Sequence, residues 1–296
     1  MKILFVINPG SGRKKDIDWE SIIKSFFQTF PHSIEFFTLG KEEQAQALKE
    51  IIKKSMPGLV VAVGGDGTVT LVAQQLMHTE MQMGIIPAGS ANGMATELGI
   101  PNDPQLALGV LLTGEVKAAD VILMNEKDIC LHLSDIGLNA QLIKYFKYGK
   151  LRGKIGYAKV VLKVLVRKRR MKVALQSGNE VILRSAVMIA IANASKYGTG
   201  AIINPDGNID DGVFEVVIVR KLGVLEILKM FLRFQRFNPK KIEILHAKSV
   251  IIETKRQMHF QIDGEYMGKV KTVTARILPA PLKLLVPVSG EIMKNP

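Results

Sequence analysis

In the first part of the chain, short apolar runs alternate with longer segments of mixed polarity. Four segments have the composition of strands: 3–7, 33–38, 59–63 and 84–86. Three segments between or after them have helical composition: 19–30, 41–54 and 68–78. Apolar strands that alternate with helices are typical of a parallel sheet covered by helices on both faces.

The pattern changes after about residue 116, where short strand candidates follow one another with turn residues between them. These candidates are 131–134, 181–192, 213–219, 242–245, 250–253, 258–262, 270–277 and 282–286. Their spacing predicts a mainly antiparallel β-sandwich, interrupted by helical segments at 154–167 and 224–234. We therefore expect two domains, 1–118 and 119–296, and leave open whether the last residues return to the first.

Three glycine-rich turns follow predicted strands of the first domain. They are Asn8-Pro9-Gly10-Ser11-Gly12, Gly64-Gly65-Asp66-Gly67-Thr68 and Pro87-Ala88-Gly89-Ser90-Ala91-Asn92-Gly93. Glycines let backbone N–H groups approach phosphate oxygens, and a following helix offers its positive N-terminal end. Any one loop alone is equally compatible with a tight strand-to-helix turn. Because the carboxyl ends of parallel strands share one edge, the three together favour phosphate binding. None carries the Lys-Ser/Thr pair of a P-loop.

Three carboxylates in turns are candidates for catalysis or metal binding. A carboxylate among phosphates is repulsive unless a cation lies between them, so Asp66 suits a partner of Mg²⁺ or a group that orients the acceptor hydroxyl. The alternative is a structural role for Asp66 as a helix N-cap. The turn Asp210-Asp211-Gly212 suits a hard cation held by Asp211 and backbone carbonyls, or a simple hairpin turn. Glu265, which follows the turn Asp263-Gly264, suits a general base or a solvated turn carboxylate.

The charge balance narrows the class of partner. The chain has 40 Lys+Arg and 27 Asp+Glu, a formal net charge of +13, which favours a polyanion such as an anionic membrane surface or nucleic acid. No nucleic-acid-binding motif matches, and aromatic residues make up only 6%, so we expect no nucleic-acid partner. The segment 221–241 mixes cations with apolar residues and suits an interfacial helix or a core-facing one. No apolar stretch approaches the roughly 20 residues that span a bilayer. We expect a cytoplasmic protein that associates peripherally with membranes.

Taken in order, these motifs resemble the diacylglycerol kinase catalytic family, which includes the sphingosine kinases and small bacterial lipid kinases. The resemblance covers essentially the whole chain and rests on five segments: 8–12, 64–68, 89–92, 210–212 and 263–265. The Gly-Gly-Asp-Gly-Thr loop alone is also similar to loops of NAD kinases and phosphofructokinases, whereas the ordered set of five is specific.

The resemblance implies an N-terminal α/β nucleotide-binding domain, like that of NAD kinases and phosphofructokinases, and a C-terminal β-sandwich domain for the lipid substrate. It implies ATP binding by Asn8, Pro9, Gly10, Ser11, Gly12, Thr38, Gly65, Asp66, Gly67, Thr68 and Ser90. It assigns Mg²⁺ to Asp211 with backbone oxygens of Asn208 and Val213. It makes Glu265 the catalytic base, with Asp66 close to the reacting groups.

The expected activity is therefore ATP- and Mg²⁺-dependent transfer of the γ-phosphoryl group to a hydroxyl of a membrane lipid, with diacylglycerol the first candidate. Gly93 stands where bacterial members usually carry Asp, and its loop looks closer to that of sphingosine kinases. A sphingoid base or ceramide is therefore an alternative acceptor. A kinase for a soluble substrate, of the NAD-kinase type, is a further alternative. The oligomeric state is left open, and a homodimer is one of the options.

Overall fold

The computed structural model describes residues 1–12, 17–40, 44–148, 170–197, 200–223, 226, 229–230 and 237–288. The helix expected at 154–167 lies outside these residues, as does most of the one expected at 224–234. The chain divides into two compact units: unit 1 is Met1–Ala119 with Ala280–Pro296, and unit 2 is Asp120–Pro279. Within the described residues, none of the helices combines the length and the apolar character needed to cross a membrane.

Unit 1 is built on a parallel sheet with helices between its strands. Its strands are β1 (Lys2–Ile7), β2 (Ser33–Thr38), β3 (Leu59–Gly64) and β4 (Gln82–Pro87). Its helices are α1 (Trp19–Phe27), α2 (Gln44–Ser55), α3 (Asp66–Leu76), α4 (Gly93–Glu97) and α5 (Pro104–Thr113). The strand order is β2-β1-β3-β4, and every pairing is parallel. The expected α/β architecture is therefore confirmed.

Burial explains why the apolar runs of unit 1 are continuous. Every residue of β3 is buried, as are the last five residues of β1 and of β4. A strand covered on both faces needs apolar side chains at each position rather than at alternate ones. The N-terminus of α1 is fixed by Asp18, whose carboxylate accepts a hydrogen bond from the Ser21 N–H at 3.1 Å.

Unit 2 is mainly antiparallel. Its strands are β5 (Glu115–Met124), β6 (Asp128–Cys130), β7 (Leu133–Gly137), β8 (Met171–Ser177), β9 (Glu180–Ala186), β10 (Met188–Ala192), β11 (Phe214–Val219), β12 (Ile242–Ala247), β13 (Ser249–Ile262) and β14 (Glu265–Val286). The helix α6 (Leu138–Tyr148) follows β7. Strands β12, β11, β10, β7 and β13 are neighbours in that order, and β13 also pairs with β8 and β14. The expected mainly antiparallel β-sandwich is confirmed.

Several strands of unit 2 differ from the expected ones in extent. The segments 250–253 and 258–262 form one strand, β13, whose pairing with β14 shifts register between Glu253 and Met258. A β-bulge of this kind lets a long strand bend while it continues. The segment 181–192 is instead two strands, because β9 pairs with β8 whereas β10 pairs with β7 and β11.

The chain passes between the units twice, within β5 and within β14. The end of β14 completes unit 1, where Lys283 and Leu284 pair in parallel with Gln82 and Met83 of β4. The Pro281 carbonyl also accepts a hydrogen bond from the His78 N–H at 2.8 Å. Unit 1 is therefore discontinuous in sequence.

Candidate active site

The three glycine-rich turns of unit 1 leave the sheet at one edge. Strand register aligns Ile7 with Thr38 and with Val63, and it aligns Gly64 with Pro87. Strand β1 has β2, the next strand along the chain, on one side and β3 on the other, so the strand order reverses at β1. Ligands of open α/β sheets bind outside the carboxyl ends at such a reversal of strand order.

The backbones of these turns are in direct contact. A Cβ atom added at Gly89 would lie 2.4 Å from the Cα of Gly65, and one added at Gly12 would lie 2.4 Å from the Ala88 carbonyl oxygen. Gly12 also has a φ of +78°, in the left-handed region that glycine adopts without strain. Glycine is therefore required where the first turn meets the third and where the second meets the third.

Asn8 and Thr68 connect the first turn to the second. The Asn8 side-chain amide donates a hydrogen bond to the Thr68 hydroxyl at 3.1 Å, while its Oδ1 accepts one from the Gly10 N–H at 3.0 Å. Thr68 is buried, and its Oγ1 would lie 2.3 Å from a Cβ added at Gly64. Asn8 and Thr68 thus fix the shape of the turns, whereas Pro9, Gly10 and Ser90 are exposed.

Asp66 connects the second turn to the third. It is the first residue of α3, and its Oδ1 accepts a hydrogen bond from the Met94 N–H, at the start of α4, at 3.2 Å. The Asp66 carboxylate therefore accepts a backbone donor at the start of α4, and not one in the helix that contains it. Asn92 adopts a left-handed conformation with φ 53° and accepts the Gly89 N–H at 2.8 Å, which closes the third turn on itself.

Thr38 is the last residue of β2 and is exposed beside the end of β1. It lies at the same sheet edge as the glycine turns, in register with Ile7. Thr38 therefore ends its strand beside the first turn.

In unit 2, the turn at Asp211 belongs to the long connection 193–213 between β10 and β11, and not to a two-residue hairpin. The Asp211 Oδ1 accepts a hydrogen bond from the Val213 N–H at 3.1 Å. A residue that the sequence reasoning missed, Asp120, fixes the same turn. Its Oδ2 accepts the Gly212 N–H at 2.6 Å, and its own N–H donates to the Ile209 carbonyl at 2.6 Å. The available sequence signal was an acidic residue at the start of the apolar run 121–124.

Negative charge accumulates at this turn. Burial raises the pKa of the Glu215 carboxyl, and the charges of Asp211 and Asp206 raise it further. The Glu215 Oε1 is buried without a hydrogen-bond partner in the described part of the chain, with the His246 Nε2 at 3.6 Å. The other oxygen, Oε2, accepts a hydrogen bond from the Asn204 amide at 2.5 Å.

The donor chemistry here fits a hard cation. Asp211 is exposed and the expected partners, Asn208 and Val213, offer backbone oxygens. The described residues contain no group of three or more His, Cys, Asp or Glu that could hold a metal by side chains alone. One carboxylate with carbonyl oxygens suits Mg²⁺, which retains several of its waters.

Glu265 is positioned by a tight turn. Asp263 and Gly264 have positive φ values of 45° and 84°, as in a two-residue type I′ hairpin turn, and Glu265 pairs with Ile262 as the first residue of β14. The Asp263 carboxylate accepts hydrogen bonds from the N–H groups of Leu131, His132 and Leu133 at 2.8, 3.0 and 3.0 Å. The turn is thus anchored from one side, and the Glu265 side chain is exposed.

A buried polar network, which the sequence reasoning also missed, supports the other side of this turn. The Gln261 Oε1 accepts the Gly264 N–H at 2.8 Å, and the Gln261 Nε2 donates to the Asp135 Oδ2 at 2.6 Å. Asp135 also accepts from the Asn139 amide at 2.6 Å and from the Ala140 N–H at 2.7 Å. Burial raises the pKa of Asp135 to about 6.

Comparison with known proteins agrees with this architecture. Residues 2–124 match the family model of the diacylglycerol kinase catalytic domain. Residues 135–286 match that of the YegS C-terminal NAD kinase beta sandwich-like domain. A diacylglycerol kinase of Bacillus subtilis is 25% identical over 275 residues, which cover 89% of each chain.

Solved structures show the same fold. A putative diacylglycerol kinase from Bacillus anthracis superposes with a TM-score of 0.77 at 22% identity, over 97% of this chain and 98% of that one. An NAD kinase from Archaeoglobus fulgidus in complex with ATP superposes with a TM-score of 0.54 at 13% identity, over 97% and 94%. The fold alone therefore does not distinguish a lipid acceptor from NAD. Family models match residues in both units: the chain carries the diacylglycerol kinase catalytic domain together with the YegS C-terminal NAD kinase beta sandwich-like domain, and it belongs to the family of lipid kinases built from this pair.

Proposed function

We propose that the protein transfers the γ-phosphoryl group of ATP to a hydroxyl of a membrane lipid, with diacylglycerol the first candidate. The observation that carries this proposal is the contact of three glycine turns at one sheet edge, with Gly65 and Gly89 backbone to backbone. Gly10 and Gly89 donate their N–H groups within the turns, so the donors proposed for the phosphate oxygens are the N–H groups at the start of α3, beside this contact.

In this proposal unit 1 binds the nucleotide and unit 2 binds the lipid. The exposed residues Pro9, Gly10, Thr38 and Ser90 contact the nucleotide, together with Ser11, Gly12, Gly65, Asp66 and Gly67. Asn8 and Thr68 act by holding the turns together. Loose phosphoryl-transfer transition states are stabilised mainly by positioning and charge neutralisation, which is what fixed backbone donors supply.

Asp211, with the backbone oxygens of Asn208 and Val213, is the proposed Mg²⁺ site. A bound Mg²⁺ would neutralise part of the negative charge that Asp206, Asp211 and Glu215 gather there. Asp120 holds this turn in place through Gly212.

Glu265 is the proposed general base. It accepts the proton of the lipid hydroxyl while the hydroxyl oxygen bonds to the γ-phosphorus and the bond from phosphorus to ADP breaks. Its carboxylate is exposed, and its backbone is fixed through Asp263 and Gln261. Asp66 is proposed to lie close to the reacting groups, with one oxygen engaged by Met94.

The test is phosphate transfer from labelled ATP, with and without Mg²⁺, to lipids in mixed micelles. Diacylglycerol, sphingosine, ceramide and phosphatidylglycerol form the panel, with NAD as a soluble control. We expect diacylglycerol to be labelled and a chelator to stop the reaction. Labelling of sphingosine or ceramide instead would reassign the acceptor and connect it to the buried Gly93 in the third turn. Labelling of NAD alone would overturn the proposal.

A further inference from the structure

Unit 2 contains a strongly basic groove of about 930 Å³. Seven lysines or arginines and a single carboxylate, Glu253, are among the residues that line it. The argument below uses six of the cations, and we call their site the basic groove: Lys172, Arg184, Arg220, Lys221, Lys240 and Lys255. They come from β8, β9 and β13 and from the segments that flank β11 and β12.

Two of these cations are held in fixed positions by one acid. Arg184 donates to the Glu243 carboxylate through two of its nitrogens, Nε and Nη2, each at 2.9 Å. Arg220 donates to the same carboxylate through its Nη2. The hydrogen bond from Arg184 lowers the pKa of Glu243 and keeps it charged. The Arg220 Nε is buried without a hydrogen-bond partner in the described part of the chain. The groove is therefore lined by two guanidinium groups that one carboxylate holds in place.

The lysines of the groove are not neutralised in the same way. Lys172, Lys221, Lys240 and Lys255 are exposed, and none forms an ion pair with a carboxylate among the residues that the structure describes. Like charges that line a concave surface repel one another and focus a positive potential into the concavity. Such an arrangement is suited to an anionic ligand with phosphate groups.

Apolar side chains beside the groove indicate the source of the phosphate. Leu183 lines the groove and is 73% exposed, and Val181, two residues earlier on β9, is 60% exposed. Residues two apart on a strand lie on the same face. The strand register places Lys172 opposite Ser185, so Lys172 shares the face of Val181 and Leu183, whereas Arg184 lies on the opposite face of β9. Large exposed apolar side chains next to cations are typical of contact with a lipid interface, whereas a soluble phosphate compound offers them no partner.

We propose that the basic groove binds the phosphate headgroups of anionic phospholipids, with Leu183 and Val181 in contact with the apolar layer of the membrane. This inference rests on the proposed function, because a lipid kinase must reach its acceptor in a bilayer. It adds a site to that function, since none of the lining residues belongs to the proposed nucleotide, metal or base positions.

The test compares two variants of equal charge change in the full-length protein. The groove variant is Lys172→Gln/Lys240→Gln/Lys255→Gln, and the control is Lys49→Gln/Lys127→Gln/Lys248→Gln, at exposed lysines that do not line the groove. Co-sedimentation uses vesicles of phosphatidylcholine alone or mixed with phosphatidylglycerol. We expect the groove variant to lose on the order of 10- to 100-fold in partitioning to the mixed vesicles, and the control to lose less than about fivefold. Equal losses in the two variants would overturn the inference, because net charge alone would then explain binding.

Two further measurements identify the ligand source and separate this inference from the proposed function. Leu183→Ser, at an exposed position, is expected to weaken vesicle binding without changing the binding of inorganic pyrophosphate. If pyrophosphate binds at the groove while vesicle binding is the same in all variants, the ligand is a soluble phosphate and the lipid assignment is wrong. Transfer to diacylglycerol in detergent micelles without anionic lipid should be unchanged in the groove variant. Groove-dependent vesicle binding with no transfer to any lipid would reject the proposed function and leave the groove assignment standing.

Discussion

The glycine turns of unit 1 and the acidic turns of unit 2 position the groups that we propose act in the reaction by different means. In unit 1 the groups are backbone donors, and their positions follow from strand register and from the absence of side chains at Gly65 and Gly89. In unit 2 the groups are carboxylates, and their positions depend on hydrogen bonds between residues far apart in sequence, such as Asp263 with Leu131. Unit 1 therefore relies on local chain geometry, and unit 2 on a buried polar network.

This difference has a physical consequence for sensitivity to mutation. A close approach of two backbones tolerates no added atom, because neither backbone can move without displacing its strand. A hydrogen-bonded carboxylate tolerates a change of shape better, but a removed partner leaves a buried donor unsatisfied. Substitutions in unit 1 should thus affect nucleotide binding, and those in unit 2 should affect turnover.

The largest expected effect separates the two roles directly. Glu265→Gln removes the proposed base and is expected to lower kcat by about 10²- to 10⁴-fold, with ATP affinity unchanged because the glycine turns are intact. The measurement is phosphate transfer in mixed micelles together with ATP titration calorimetry. Wild-type turnover in this variant would show that Glu265 is not the general base, and it would contradict the assignment of turnover to unit 2.

The next effect concerns the contact between glycine turns. Gly89→Ala places a Cβ atom 2.4 Å from the Gly65 Cα, so the turns must separate. Overpacking of this kind costs about 1–3 kcal/mol, and if this cost falls on the nucleotide-bound shape of the turns, ATP affinity drops by roughly 5- to 150-fold. Gly40→Ala is the matched control, because its added Cβ meets nothing within 4 Å. Similar ATP affinities for the two variants would show that the contact does not shape the binding surface.

A smaller effect is expected from the support of the Glu265 turn. Gln261→Leu removes the acceptor of the Gly264 N–H and a donor to Asp135, and is expected to lower kcat about tenfold and the free energy of unfolding by about 1–3 kcal/mol. The Michaelis constant for ATP should stay at its wild-type value. Gln176→Leu, at an exposed amide on β8, serves as the control. A change in the Michaelis constant for ATP with unchanged kcat would contradict the positioning role.

The smallest of these effects is on stability, and it concerns how the free energy of unfolding depends on pH through Asp135. Its pKa of about 6 in the folded protein lies above the value of about 3.9 for an unfolded chain, so the folded state holds its proton more tightly. The resulting stabilisation is full below about pH 4 and is lost as the pH rises through 6, at most about 3 kcal/mol. Asp135→Asn lacks this titration, so the stability of the wild type relative to the variant should fall over that range. Urea unfolding of both proteins across the range would show parallel curves if Asp135 did not titrate there.

The two units also differ in how much of their structure can be predicted from the sequence. Strands β1, β2 and β3 were predicted closely, because each is a continuous apolar or β-branched run between helical segments. The convergence of the glycine turns followed from the rule that parallel strands share a carboxyl edge. Helix α5 was missed because its composition, Pro104–Thr113, is almost wholly apolar and lacks helical periodicity.

The supports of the acidic turns could not be predicted. Asp120, Asp135 and Gln261 are polar residues inside strands, and nothing in their local sequence identifies the distant groups that they contact. Asp135 and Gln261 are joined only because β7 and β13 are neighbours, with these two residues in register. The turn Asp263-Gly264 was recognisable from its composition, whereas its anchoring to the chain at Leu131–Leu133 depends on the assembled sheet.

The return of β14 to β4 has a consequence during synthesis of the chain. The ribosome synthesises Gln82–Pro87 long before Lys283 and Leu284. One edge of β4 therefore stays unpaired while unit 2 is translated. An unpaired edge strand can pair with strands of other chains, so the nascent protein is prone to aggregate in this state, and chaperones counteract such aggregation. A fragment released before residue 281 would retain the glycine turns but keep that edge open permanently.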